Sequence, residues 1–221
     1  MGKVLCDGNG HCLCHQAVLL LKDAYFSTMS AAVAHLKEKL YALVSPTEEE
    51  WQDFIQYWEP FEFPRNHITN DFGEVERYFY FVHHGVIRLY FEKGEEEFNM
   101  GFSYYGDFSG DYQSLMSQSP AHFCTETIAS TQGLRIRYEN LIGLYDRHKV
   151  FERWGRLFNQ RILFGFGIFV KSLLCDSAEE RFNRLMEQSP HVFQLIPQKH
   201  LASYLGMTPE TFSRMRKKSM E

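Results

Sequence analysis

The sequence predicts an α+β chain: N-terminal helices, an antiparallel β-barrel or sandwich, one long helix and a C-terminal helix-turn-helix. Three observations predict it. The hydrophobic period switches from helical to strand-like near residue 61 and back near 138. The stretch VFERWGRLFNQRILFGFGIFVKSLL, 150–174, turns apolar nearly all round from Ile162 onward. The end of the chain reads PQKHLASYLGMTPETFSRMRKK, with five Lys and Arg against one acid.

Residues 1–28 form an extension unlike the rest. They hold Cys6, Cys12 and Cys14 beside His11 and His15, donor types that suit soft metals. The Cys-x-Cys pair is tight for two ligands on one tetrahedral ion, so no metal site is assigned. From Met29 a clear amphipathic pattern begins. Ala32, Leu36, Leu40 and Leu43 recur at helical steps. SPTEEEW then predicts a second helix, with Ser45 as N-cap, Pro46 at N1 and Glu48 at N3. Trp51, Phe54 and Ile55 supply its apolar face.

Between 61 and 137, the runs FEF, RYFYFV, VIRLYF, EFNMGFS, HFCTETIA and LRIRY alternate or are rich in β-formers. Gly73, Gly85, Gly94, Gly106 and Gly133 punctuate them as turns. Edges this aromatic need closure or cover. Helix returns at 138. A helix apolar all round is buried on more than one side. The chain's own barrel can cover one side of 150–174, and a second copy the other. Ser177 and Glu180 then predict a capping box. The expected divisions are 1–28, 29–148, 149–175 and 176–221.

The C-terminal unit starts at Gln198. Leu201, Leu205, Met207, Phe212 and Met215 stand where two short helices pack across a tight turn. Ala202 fits the helix contact. Gly206 supplies the positive φ of the turn, and Thr208 and Pro209 open the second helix. That helix is the one to enter a major groove, with Glu210, Thr211, Ser213, Arg214 and Lys217 outward. Arg214 suits guanine and Glu210 suits cytosine N4. Lys199, His200, Arg216, Lys217 and Lys218 suit phosphates, and Gln198 and Thr208 complete the expected DNA-binding set.

Charge agrees with this division. Net charge is −5 over 221 residues, yet residues 197–221 hold five Lys and Arg against two acids, and the remainder 18 against 26. No run of 18 apolar residues predicts a membrane span, and the start lacks a signal-peptide pattern. Five Cys without repeating spacing argue against a disulfide framework, so a cytoplasmic location is expected.

The order of parts resembles the Crp–Fnr family of bacterial transcription regulators, from about Met29 to Lys218. YFYFVHHGVIRLYF resembles the family's central roll strands, YGDFSGD its phosphate-cassette opening and ASYLGMTPETFSRMRKK its recognition unit. The resemblance implies an antiparallel β-roll of the double-stranded β-helix or jelly-roll type, a dimerisation helix and double-stranded DNA as partner. It places Glu210 and Arg214 at base-contact positions. Pro209 stands where the family often has Arg. Only three residues follow Lys218, so a wingless subgroup is expected.

The same resemblance implies an effector pocket at Gly106, Phe108, Gly110, Asp111, Ala121 and His122. Gly110 and Asp111 match the ribose-binding Gly-Glu pair with a shorter carboxylate. The phosphate-binding Arg-Ser position falls at Ala121–His122. No Lys or Arg occurs from Glu95 to Leu134, while Asp107, Asp111 and Glu126 add negative charge. A buried phosphate without a paired cation is costly, so cAMP is not the expected effector and the effector remains unnamed. Some relatives hold an iron–sulfur cluster. Cys6, Cys12, Cys14 and Cys124 offer four thiolates, but not at the family's usual spacing, so no cofactor is assigned. Two alternatives stay open: a cyclic-nucleotide- or other small-ligand-binding module acting through protein contacts, and an iron–sulfur or redox-sensing regulator. Asp71, His83, His84 and Asp107 make no catalytic motif, and no enzyme is expected.

Overall fold

The computed structural model describes residues 29–219. The Cys- and His-rich extension, with its possible thiolate and imidazole ligands, lies outside the described residues. Helix α1 spans 29–41 and buries Ala32, Leu36 and Leu40, as its period requires. Helix α2 is Glu48–Ile55. Its cap is Thr47, not Ser45. Thr47 Oγ1 accepts from Glu50 N at 3.2 Å and Glu50 returns the contact to Thr47 N at 2.7 Å. Val44 and Pro46 are both buried, which keeps that segment extended and delays the helix by two residues.

Among the described residues eight strands follow: β1 Glu59–Phe63, β2 Ile68–Asn70, β3 Tyr78–His84, β4 Ile87–Lys93, β5 Glu96–Ser103, β6 Phe108–Ser109, β7 Cys124–Thr127 and β8 Thr131–Arg137. They form two four-stranded antiparallel sheets, ordered β1-β8-β3-β6 and β2-β7-β4-β5. Strands β2 and β6 and the short helix α3, Tyr112–Ser117, carry too few residues to show a period in sequence.

Gly73, Gly85, Gly94 and Gly106 turn the chain at positive φ. Gly133 does not. It lies inside β8 opposite Phe61, where a Cβ would collide with the Phe81 carbonyl. Its role is close backbone approach.

Alternation sorts the side chains. Phe79, Phe81, Leu134 and Ile136 face the helices, while Phe61, Tyr80, Val82 and Ile87 fill the space between the sheets. On the helix side, α4 (Tyr138–Arg147) and α5 (Lys149–Cys175) contribute Leu141, Leu144, Phe151 and Trp154, all fully buried. Asp53 of α2 ties the α4–α5 junction down, accepting from His148 Nε2 at 2.7 Å and Arg147 Nη2 at 3.2 Å.

Beyond Phe158 the long helix leaves the core. Residues 159–168 are exposed on every side, so the roll covers none of this stretch, contrary to the sequence expectation. Helix α5 is long and apolar enough by composition to cross a bilayer. Its unbroken apolar run between Arg161 and Lys171 is nine residues. That is about 14 Å of helix against a hydrocarbon core of about 30 Å.

Candidate nucleic-acid interface

Four helices make the C-terminal unit: α6 Ala178–Gln188, α7 Val192–Leu195, α8 Gln198–Tyr204 and α9 Pro209–Lys218. Ser177 and Glu180 cap α6 reciprocally, at 3.2 and 2.7 Å. Leu201, Ala202, Leu205 and Phe212 are buried, with Met207 and Met215 packed against them. Phe212 sits between Phe182 and Phe193, with ring centroids 5.4 and 5.8 Å away. Gly206 takes φ +63°, and Thr208 Oγ1 accepts from Thr211 N at 3.3 Å to start α9. Arg181, which the sequence did not single out, holds the turn. Its guanidinium donates to the Leu205 carbonyl at 2.7 Å and to that of Asp176. These carbonyls otherwise lack helical partners.

On α9, Ser213, Arg214 and Lys217 are exposed and Thr211 is half-buried. Glu210 is exposed, but hydrogen bonds from its own backbone N–H and the Thr208 hydroxyl hold its carboxyl below the ordinary range. Lys218 Nζ meets Glu179 Oε1 at 2.9 Å; both are exposed, so the pair contributes little. Gln198 and Lys199 are exposed at the start of α8.

His200 is not at the surface. It is 7% exposed, with Nδ1 3.5 Å from both Arg88 Nη1 and Asn99 Nδ2. Burial, with Arg88 and Lys199 nearby, pushes its pKa down to about 4. A neutral buried imidazole does not serve a phosphate, which removes His200 from the expected contact set.

The six residues expected to form an effector pocket point in different directions. Phe108 stacks on Phe79 at 5.1 Å and meets Trp154 at 5.3 Å, in the helix-side core. Asp111 is buried and caps α3 through Ser114 N at 3.1 Å. Ala121 pairs its backbone with Glu74 and Gly73, His122 is exposed, and Gly106 packs beside His35 and Lys39. Gly110 adopts φ +123° against Tyr78 O and Glu76. Glu126, counted as a pocket acid, instead pairs with Arg88 at 2.5 Å. The cleft that opens in the roll, about 450 Å³, has other walls, among them Phe63, Thr69, Asn70, Arg77, Tyr80 and Arg135.

Glu76 borders that cleft and is 1% exposed. It accepts from the backbone N–H of Arg77 at 3.0 Å, Tyr78 at 3.1 Å and Asp111 at 3.3 Å. Burial outweighs these donors and raises its pKa from 4.5 to about 7. The folded chain therefore keeps a proton that the unfolded chain releases. This contribution to stability is full below 4.5 and is lost as pH rises through 7. Relative to Glu76→Gln, the native chain should lose about 3 kcal/mol between those limits, read by urea unfolding. Parallel pH profiles for the two chains would contradict it.

No protein-family model matches the sequence, and no curated protein does. Solved structures do match. FixK2 from Bradyrhizobium japonicum aligns at TM-score 0.65 and 19% identity, over 73% of this chain and 83% of its own. The c-di-GMP responsive global regulator CLP from Xanthomonas campestris aligns at 0.60 and 17%, over 79% and 92%. A protein from Eubacterium rectale assigned to the crp/fnr family of transcriptional regulators aligns at 0.60 and 14%, over 78% and 83%. At these identities the likeness speaks to fold. Together with the two sheets, the long helix and the C-terminal helical unit, it gives the chain the fold of a Crp–Fnr-type regulator: a cyclic-nucleotide-binding-like β-roll joined to a helical DNA-binding-type domain.

Proposed function

We propose that the chain is a cytoplasmic, dimeric transcription regulator that binds double-stranded DNA through α9 and is not an enzyme. The observation that carries this reading is α9 itself. It is capped by Thr208 and anchored inward by Phe212, and it offers Ser213, Arg214 and Lys217 outward. A second copy pairs along the exposed apolar stretch of α5, setting two such helices side by side. Gln198, Lys199, Arg216, Lys217 and Lys218 hold the phosphates, while Arg214 reads a base. Selection of genomic fragments on the purified chain tests this. The recovered site should be two-fold symmetric, with half-site centres about 34 Å apart. Recovery of fragments without shared symmetry would count against it.

The roll takes an effector other than cAMP in this reading. Asp111 already serves as a helix cap, and the position expected for the phosphate, Ala121–His122, holds no Lys or Arg; of the arginines in the cleft wall, Arg77 is exposed and Arg135 is paired with Glu59 at 2.9 Å. Calorimetry with cAMP should show no saturable heat in the micromolar range. Micromolar affinity would overturn the assignment.

A further inference from the structure

The helix-turn-helix unit is docked on its own roll, and the contact has two layers. One is apolar. Val86 and Ile128 of the roll join the core of Phe182, Val192, Leu201 and Phe212, and Phe102 meets Tyr204 at 5.7 Å. The other is polar and sits at the edge of a sheet. Among the described residues strand β5 has no neighbouring strand on its outer side, and α8 covers it there. Ser203 Oγ accepts from Asn99 N and donates to Glu97 O, both at 3.0 Å.

Beyond this contact, the β4–β5 hairpin stands across an open cleft of about 640 Å³ from the C-terminal unit. Glu95, Glu96 and Glu97 form one wall, and Lys199, Thr208 and Pro209 form the other. In a docked helix-turn-helix the first helix crosses the phosphate backbone and the second enters the groove by its N-terminal end. The carboxylates therefore stand where a duplex would bring its phosphates. Glu97 and Lys199 already attract each other: the lysine is among the charges, after Arg88, that keep the Glu97 carboxyl below its ordinary range.

We propose that this hairpin is a latch that holds the helix-turn-helix unit against the roll in competition with DNA, and that charging His200 opens it. Arg88 Nη1 and Asn99 Nδ2 are both donors and both approach His200 Nδ1, so that nitrogen keeps its lone pair while the unit is docked. A proton there sets an imidazolium against a guanidinium. Arg88 cannot turn aside, because Glu97 and Glu126 grip it at 2.5 Å each. Lys199 on the same helix and Arg65 in the β1–β2 loop add positive charge, and Glu97 supplies the opposing attraction. Elsewhere the interface is apolar except for the Ser203 hydrogen bonds, which carry no charge, and His191, whose ring lies 5.1 Å from Tyr104 and whose charge acts on Asp107 of the roll, an attraction that favours docking.

The direction follows from linkage. Docked, His200 titrates near 4; released into water it returns to the ordinary 6.5. The released state therefore binds the proton more readily. Docking is at full strength above 6.5 and weakens by about tenfold per pH unit below it, down to 4.

The inference rests on the DNA-binding reading for its purpose, so it is tested first without DNA. Small-angle X-ray scattering of the full chain at pH 7.5 and at pH 5.5 reads the docking, where about a tenfold shift toward release is expected. The native chain should expand at the lower pH. His200→Gln should stay compact at both, because its amide oxygen accepts from Arg88 and Asn99 but takes no charge. Circular dichroism checks that each chain is folded. The chain with Glu95, Glu96 and Glu97 all changed to Gln should bind duplex about tenfold more tightly at pH 7.5, a gain of about 1.4 kcal/mol in competition. No expansion of the native chain, or equal expansion in His200→Gln, overturns the latch. Unchanged duplex affinity in the triple variant overturns its competition with DNA. If the chains expand as stated but none binds duplex at any salt, the docking switch stands and the DNA reading falls.

Discussion

Arg214→Ala should bind random duplex as the native chain does, yet lose between about fivefold and 150-fold of its preference for the native site. That range corresponds to about 1–3 kcal/mol for one bidentate arginine–guanine contact. Arg214 lies one turn after Glu210 on the face left outward when Phe212 and Met215 turn in. In the proposed docking Arg214 is the base reader on that face. Lys218→Ala is the contrast. At the far end of α9 it reaches phosphate alone, so all sequences should weaken alike and the salt slope should drop by about one unit per copy. Competition titrations with base substitutions in each half-site separate the two. Full preference retained by Arg214→Ala would mean that this residue reads no base.

Leu163→Glu should split the proposed dimer and with it nearly all site-specific binding. Leu163 and Phe166 are 65% and 50% exposed, and Val170 and Leu173 continue their stripe at alternating three- and four-residue steps. That spacing suits a helix pair. A carboxylate at position 163 of that stripe would be buried without a partner in each copy, a cost of several kcal/mol. A loss of 3 kcal/mol raises the dissociation constant about 150-fold. Sedimentation at micromolar concentration should find the native chain dimeric and the variant monomeric. Two monomers, or two dimers, would remove α5 as the pairing surface. The first core-facing turns of α5 should keep the variant folded, since Phe151 and Trp154 are untouched.

The sequence was most legible where the determinants are local. Gly206, Thr208 and Pro209 lie within four residues of one another, and their spacing alone dictates the turn and cap that the structure has. Ser177 and Glu180 are the same case. Reading failed where a side chain's role depends on distant chain. His200 looks like a surface cation until Arg88, 112 residues away, is set beside it. Phe108 was placed in a pocket by its motif, but β6 pairs with β3 and turns that ring toward Phe79 and Trp154. Gly133 reads as a turn because the polar run Ser130, Thr131 and Gln132 leads into it; only the pairing of β8 with β1 and β3 shows that its missing Cβ makes room for backbone. Thr47 displaced Ser45 as cap because Val44 and Pro46 are both drawn into buried positions.

The central claim is that an acidic chain binds DNA through one basic helical unit, and the salt dependence of that binding tests it most directly. Lys199, Arg216, Lys217 and Lys218 are the phosphate candidates left after His200 is withdrawn. Fluorescence anisotropy of a labelled duplex, titrated from 50 to 200 mM salt at pH 7.5, yields the slope of log K against log salt. Four contacts in each of two copies predict a slope steepening toward about −7, at about −0.9 per phosphate. A slope near zero, or no binding at the lowest salt, would contradict the assignment of this unit to DNA.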